Sequence, residues 1–306
     1  MRSVLCVLSA CLLVAAAGCG GSTKQSAPEA RGPFAYDDAP LRFADHGRVN
    51  TRYPIAIRDV LYTAGRDRIA AYLVLPPKSG TRVPAVIYLH GSGGDRTQFV
   101  VPATWLAARH AIGLVITAPS ATARAVASSS PDAKLRQQVR LEERDVVAVR
   151  RGIDLLRRRP DVDPSRIGFV GWSAGARSGA ILAGVEPRLR TLVLMSGGST
   201  PVSAYAARAP APLRSTIRRY LTIVDPLRYV GRATASGLLL QDGRRDQVVP
   251  RSALEAMATA APRGTTLRWY DADHGLNAKA YHDELVWLAR KLRLVSPPVK
   301  GALTGP

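Results

Sequence analysis

A serine between two glycines is the strongest chemical signal in this chain of 306 residues: residues 171–175 are Gly-Trp-Ser-Ala-Gly. A G-x-S-x-G pentapeptide allows a tight turn that exposes the serine hydroxyl, if a strand precedes it and a helix follows. The sequence meets both conditions, because residues 166–170 are largely apolar and residues 174–183 favour a helix. Ser173 could otherwise be a simple helix cap. The context favours a nucleophile.

A serine nucleophile needs a base, and His274 has the most suitable position of the five histidines. It lies in the loop that follows the last predicted strand, residues 265–270, and the ends of parallel strands converge on one edge of a sheet. We therefore predict that His274 takes the proton of Ser173. The other histidines occupy less suitable positions: His46, His90, His110 and His282.

An acid must orient the imidazole of such a base and stabilise its charged form. Asp246 is the best candidate because it follows another buried apolar run, residues 238–240. Asp242 and Asp225 are the alternatives. With Asp246, the order along the chain is serine, aspartate, histidine, and the sequence predicts a catalytic triad.

A glycine-rich segment, residues 90–94 (His-Gly-Ser-Gly-Gly), follows the apolar run 85–89. Its glycines let the backbone approach a substrate carbonyl closely. We expect the backbone N–H groups of Ser92 and Ala174 to form an oxyanion hole. A phosphate-binding loop is not favoured, because the segment matches neither of the glycine patterns typical of such loops.

The elements that must position these residues begin with two β-rich runs, 55–61 and 69–75, and continue with strands that alternate with helices. This order predicts an α/β fold: a mostly parallel, doubly wound sheet with antiparallel N-terminal strands and helices on both faces. Residues 197–235 interrupt the alternation and predict a small cap. The domain is expected to span residues 49–295.

The N-terminal residues predict export. Arg2 precedes an apolar run, residues 4–17, that is too short to span a membrane, so residues 1–18 resemble a signal peptide. Cys19 follows where lipidation of a bacterial lipoprotein would occur, which predicts a lipid anchor at the cell membrane. A plain secretory signal, giving a soluble secreted protein, is the alternative. Residues 19–48 are expected to form a flexible tether and residues 296–306 a disordered tail.

The positions of the cysteines and the spacing of possible metal ligands argue against disulfides and metal sites in the domain. All three cysteines lie in the first 19 residues, so the domain contains neither a disulfide nor a thiolate metal site. No residues have the spacing of metal ligands, and we expect no metal or cofactor.

The charge is +20, mostly from arginine, but no nucleic-acid-binding motif accompanies it. We interpret one basic group in the predicted cap as a solvated helix face: Arg214, Arg218 and Arg219.

Five motifs occur in a recognisable order: residues 90–94, 163–168, 171–175, 243–250 and 273–275. In this order they resemble the α/β-hydrolase superfamily. Within it, the chain is most similar to the branch of dienelactone hydrolases, acetyl xylan esterases and prolyl-oligopeptidase-like enzymes. The resemblance covers about residues 50–295 and implies a serine hydrolase with a Ser173-Asp246-His274 triad.

Two departures from the resembled families favour an esterase. Dienelactone hydrolases carry cysteine where this chain has Ser173. The peptidases usually have two glycines after the nucleophile turn and a large propeller domain, whereas Gly175 is followed by Ala176 and no room for a propeller remains. The expected substrate is a small or medium ester. An exopeptidase or amidase, and a non-catalytic surface-binding lipoprotein, remain the alternatives.

Overall fold

One mixed sheet of nine strands organises the residues that the computed structural model describes, which are 32–49, 52–78, 80–124 and 130–294. The strands, in chain order, are β1 Ala44–Arg48, β2 Ala56–Ala64, β3 Asp67–Leu75, β4 Val83–Leu89, β5 Ile112–Ile116, β6 Val162–Trp172, β7 Thr191–Met195, β8 Leu238–Gly243 and β9 Thr266–Tyr270. They are arranged in the order β1-β2-β3-β5-β4-β6-β7-β8-β9. Along this order, the pairs β1/β2, β2/β3 and β3/β5 are antiparallel, and every later pair is parallel.

Helices cover both faces of this sheet, as the burial of β4 shows. All seven of its residues are buried, which explains why its sequence is apolar throughout. Alternate side chains enter two separate cores: Ile87 belongs to one and Tyr88 to the other. The helices of the described residues are α1 Val100–Ala107, α2 Pro131–Arg157, α3 Ala174–Val185, α4 Val202–Arg208, α5 Arg214–Leu221, α6 Pro226–Val230, α7 Arg251–Ala260 and α8 Ala278–Leu292.

The two cores are formed by different pairs of helices. Helices α2 and α3 contribute Val146, Ile153 and Ile181 to one core, and α1 and α8 contribute Leu106 and Leu288 to the other. The predicted α/β class, with a mostly parallel sheet and antiparallel N-terminal strands, is confirmed. Helix α7 was not predicted; it occupies the connection between β8 and β9.

The stretch between β7 and β8 contains three short helices, α4 to α6, joined by 3₁₀ turns. Helix α6 packs against α3, and α5 packs against α2 and α4. Tyr229 and Val230 of α6 are buried in the same core as α2 and α3. Helix α6 therefore lies against α3, and its residue Tyr229 meets the end of α3 that is far from Ser173.

The prediction of a flexible tether over residues 19–48 is wrong from Pro33 onward, because the segment that begins there packs against the rest of the domain. Phe34 and Leu41 are buried, and the Phe34 ring meets Tyr229 edge-on at 5.3 Å between centroids. The Arg150 guanidinium donates to the backbone carbonyl of Phe34 at 2.7 Å. Burial of apolar area and pairing of buried arginines stabilise this segment.

Several predicted features lie outside the described residues: the signal peptide (residues 1–18), the lipidation site Cys19, the beginning of the tether, and the tail (residues 296–306). Within the described ranges, no helix combines the length and the apolar character needed to cross a lipid bilayer.

Candidate active site

Ser173 lies in a strained turn at the end of β6. Its backbone has φ 55° and ψ −115°, values that a residue with a side chain rarely adopts. The two glycines of the motif make this turn possible. A Cβ on Gly171 would overlap the carbonyl of Gly175, and one on Gly175 would overlap the carbonyl of Leu89 at the end of β4. The pentapeptide therefore permits close packing of β6, α3 and β4 around the serine.

His274 and Asp246 meet Ser173 although they are distant in the sequence. His274 Nε2 lies 2.9 Å from Ser173 Oγ, and His274 Nδ1 lies 2.8 Å from Asp246 Oδ2. An ionised carboxylate only accepts hydrogen bonds, so Nδ1–H donates to Asp246 and Nε2 accepts from the Ser173 hydroxyl. The structure thus brings together all three residues predicted from the sequence, in one chain of hydrogen bonds.

Asp246 is held rigidly in the loop after β8. Its Oδ1 accepts from the backbone N–H groups of Val248 and Val249 at 2.8 and 2.9 Å, while Oδ2 faces the imidazole. The side chain is 1% exposed, so little water competes for these bonds. Such an acid can fix the tautomer and the orientation of His274.

The two alternative acids have other positions. Asp242 is buried at the end of β8, and burial together with the negative charge of Asp246 raises its pKa to about 7. Asp225 caps α6, where its Oδ1 accepts from the backbone N–H of Leu227 at 3.1 Å. The imidazole of His274 is bonded to Asp246 instead.

Two contacts that the sequence analysis missed hold the loop of His274. Trp172 donates its indole N–H to the His274 carbonyl at 2.9 Å, and the Ser196 hydroxyl donates to the same oxygen at 3.0 Å. The indole and imidazole ring centroids lie 4.8 Å apart. The position of Trp172 next to the serine was a signal for such a role, whereas nothing in the sequence pointed to Ser196.

The glycine-rich loop after β4 is braced by His90. Its Nδ1–H donates to the carbonyl of Gly91 at 2.6 Å, and its Nε2 accepts from the backbone N–H of Ala118 at 3.0 Å. Burial lowers the pKa of His90, which favours the neutral ring that this pattern requires. Ser92, in this loop, and Ala174, at the start of α3, both line the cavity at Ser173. Their N–H groups remain the predicted oxyanion donors.

A cavity of about 290 Å³ opens at Ser173. The helices between β7 and β8 form one wall, which includes Tyr205, and the loop after Asp246 forms another, which includes Val248. Tyr205 is 51% exposed and Val248 is 67% exposed, so the lining of the cavity includes two exposed apolar side chains. Arg177, one helical turn after Ser173, also lines it. A small substrate placed here would contact the serine directly.

Among the described residues, no three His, Cys, Asp or Glu side chains converge as metal ligands would. The three remaining histidines also lie apart from one another: His46 is on β1, His110 follows α1, and His282 is on α8. The groups assembled at Ser173 are a hydroxyl, an imidazole and a carboxylate. Together they are suited to nucleophilic attack assisted by proton transfer.

Comparison with known proteins identifies the fold. No protein-family model and no curated protein matches the sequence. Solved structures do match. Acetyl xylan esterase 1 from Thermoanaerobacterium sp. has a TM-score of 0.68 and 18% identity, over 84% of this chain and 89% of that one. The acetyl xylan esterase from Paenibacillus sp. R4 gives 0.69 and 19%, over 83% and 89%.

A peptidase has a similar structure. The acylaminoacyl peptidase of Pyrococcus horikoshii has a TM-score of 0.60 and 17% identity, over 80% of this chain and 43% of that one. The esterases and this peptidase share one architecture with the protein described here, in agreement with the resemblance seen in the motifs. The chain has the α/β-hydrolase fold.

Proposed function

We propose that the protein hydrolyses carboxylic esters through an acyl-enzyme intermediate on Ser173. One observation carries the proposal: the continuous hydrogen bonding from Ser173 through His274 to Asp246, with the serine at the floor of a cavity. This arrangement lets the imidazole accept a proton from the hydroxyl while the carboxylate stabilises the resulting positive charge.

In the first half of the reaction, Ser173 Oγ attacks the ester carbonyl and its proton passes to His274 Nε2. The N–H groups of Ser92 and Ala174 would stabilise the oxyanion, aided by the positive end of the α3 dipole. His274 then gives its proton to the departing alcohol. The acyl group remains on Ser173.

In the second half, water enters beside His274 and loses a proton to Nε2 as it attacks the acyl carbonyl. The same N–H groups would stabilise the second oxyanion, and His274 returns the proton to Ser173 Oγ as the acid leaves. Each proton transfer uses His274 Nε2, which faces Ser173, while Nδ1–H stays bonded to Asp246.

The similarity to acetyl xylan esterases supports an ester substrate, and the similarity to acylaminoacyl peptidase supports a second candidate, an exopeptidase or amidase. The size of the cavity favours small acyl groups. A non-catalytic binding protein is the third candidate. It would not require the serine and imidazole to be in hydrogen-bond contact.

Hydrolysis of p-nitrophenyl acetate, compared with amino-acyl anilides, tests the proposal. We expect hydrolysis of the ester by the wild type, with the anilides left intact. The variants Ser173→Ala and His274→Ala should each lose several orders of magnitude in kcat. Two exposed residues provide matched controls, Ser252→Ala and His46→Ala, and should retain full activity. Cleavage of the anilides would favour the peptidase, and cleavage of neither substrate by folded protein would contradict the proposal.

We further propose that the protein is exported and anchored to the cell membrane by lipid on Cys19. The apolar run of residues 4–17 ends in three alanines, and Gly18 separates it from Cys19, which supports this proposal. Labelling of cells with a palmitate analogue tests it. Wild-type protein should carry the label in the membrane fraction, and Cys19→Ser should not. Unlabelled protein in the medium would instead favour a secreted soluble form.

A further inference from the structure

Arg177 places a guanidinium in the cavity of the proposed nucleophile. Its backbone N–H donates to the Ser173 carbonyl at 3.1 Å, so the two residues are separated by one turn at the start of α3. Both side chains line the same cavity of about 290 Å³. A ligand attached to Ser173 would therefore lie within reach of Arg177.

The Arg177 guanidinium has unused hydrogen-bonding capacity. Its Nε is buried and has no hydrogen-bond partner among the described residues. Within the same part of the chain, it forms no ion pair shorter than 4.0 Å. Buried arginine N–H groups are normally paired, since an unpaired one forgoes its hydrogen bonds with water. Its terminal nitrogens have no hydrogen-bond partner among these residues either, so the guanidinium at the cavity can donate to a ligand.

Two carboxyl groups are close enough to interact electrostatically with Arg177, and each has another partner. Glu142 accepts from the Ser178 hydroxyl at 2.6 Å, and Asp225 caps α6 through Leu227. Burial raises the pKa of both carboxyl groups, and the positive charge of Arg177 opposes this shift. Neither carboxyl group satisfies the guanidinium directly.

The position of the cavity indicates which part of a substrate would meet Arg177. His274 must give its proton to the departing alcohol, so the alcohol lies beside the imidazole. The lining of this cavity includes Ser173, Arg177 and the predicted oxyanion donors Ser92 and Ala174. The acyl carbonyl would meet these donors, so we assign the cavity to the acyl group.

We propose that Arg177 is a specificity-determining residue that binds a carboxylate at the far end of the acyl group, so that the preferred substrates are monoesters of short dicarboxylic acids. This inference rests on the proposed esterase function. A planar guanidinium pairs well with a carboxylate, and burial strengthens the pairing. The exposed apolar side chains in the lining, Tyr205 and Val248, would contact the uncharged part of the substrate.

A pair of isosteric esters tests the proposal. Monoethyl succinate ends in a carboxylate, and ethyl 4-methylpentanoate has two methyl groups in place of its oxygens. Ester hydrolysis is followed by proton release at constant pH. The wild type should prefer the succinate ester. In Arg177→Gln, the ratio of the two kcat/KM values should fall about 10- to 100-fold, because a hydrogen bond to a charged group is lost. The loss should appear mainly in KM for the succinate ester.

Controls separate local binding from general attraction by a protein of charge +20. Arg218→Gln removes the same charge from an exposed position on α5 and should leave the ratio unchanged. Arg177→Lys keeps the charge and should retain part of the preference, and it provides a second test if Arg177→Gln does not fold.

The possible outcomes distinguish the two proposals. An equal loss for both esters in the Arg177 variants, or an unchanged ratio, would overturn the inference while the esterase function stands. Hydrolysis of neither ester by folded wild-type protein would overturn the proposed function, and the inference with it. A ratio that falls in the Arg177 variants but not in Arg218→Gln supports both.

Discussion

The indole of Trp172 donates its N–H to the backbone carbonyl of His274 at 2.9 Å. The residue that precedes the proposed nucleophile thus holds the loop that carries the proposed base. Ser196 donates its hydroxyl to the same carbonyl from the end of β7, at 3.0 Å. Two neighbouring parts of the sheet edge therefore fix the backbone at His274, and a third part orients its imidazole through Asp246.

Replacement of Trp172 by phenylalanine should impair turnover more than substrate binding. We expect kcat to fall up to about 10-fold, which corresponds to the loss of one neutral hydrogen bond, while KM changes little. Trp287→Phe is a matched control, because this indole donates instead to the Thr191 hydroxyl at 2.8 Å. Equal effects of the two variants on kcat would argue against a positioning role for Trp172.

Replacement of Gly175 by alanine should push the turn at Ser173 away from the backbone that leads into the glycine-rich loop. The added Cβ would overlap the carbonyls of Leu89 and His90, both in the backbone that leads to Ser92. We expect a loss of about 1–3 kcal/mol in stability and a lower kcat. Gly80→Ala, where a Cβ has open space, should change neither. Wild-type Tm and kcat in Gly175→Ala would show that the turn is less tightly packed than described.

The stability of the protein should depend on pH through Glu284. Burial raises the pKa of this carboxyl from 4.5 to about 8, and neither of its oxygens has a hydrogen-bond partner among the described residues. Between these two pH values the folded protein keeps a proton that the unfolded chain has released. Stability from this group is therefore greatest at low pH and falls as pH rises towards 8.

Glu284→Gln tests this dependence, because glutamine resembles the protonated acid and cannot ionise. The Tm of the variant should be close to that of the wild type near pH 5 and clearly higher near pH 9. Glu255→Gln, at an exposed position on α7, should leave the pH profile of Tm unchanged. A variant whose advantage does not grow with pH would show that Glu284 is not buried as a neutral acid.

The segment that begins at Pro33 should contribute to stability. Phe34 is 3% exposed, so Phe34→Ala should cost about 3–5 kcal/mol if the site behaves as a buried core position. Phe43 is 43% exposed, and Phe43→Ala should cost much less. Urea unfolding measures both. Similar, small losses in the two variants would restore the expectation of a tether through this region.

Most of the sheet and the three residues of the candidate triad could be predicted from the sequence. Strands buried on both faces leave short apolar runs, and Ser173 and Asp246 each follow one of these runs, whereas His274 follows the partly exposed edge strand β9. The carboxyl ends of parallel strands lie at one edge of a sheet, so a sequence that predicts parallel strands also predicts that residues following them lie close together.

Other features depend on contacts that no local pattern records. The segment around Phe34 has no helix or strand pattern in its sequence. Phe34 is buried because its ring packs against Tyr229 and its carbonyl accepts a hydrogen bond from Arg150, and both partners are distant in the sequence. The Ser196 bond to His274 joins two loops that are close only in the folded chain. Arg177 has no distinguishing signal in the sequence, because only the folded chain shows that it lines the cavity at Ser173.

Covalent labelling with a fluorophosphonate tests most directly whether Ser173 is an activated nucleophile. Purified protein would be incubated with the probe, digested, and mapped by mass spectrometry. We expect an adduct on Ser173, slow labelling in His274→Ala and none at this site in Ser173→Ala. A folded wild-type protein that is not labelled, or is labelled only at another residue, would contradict it.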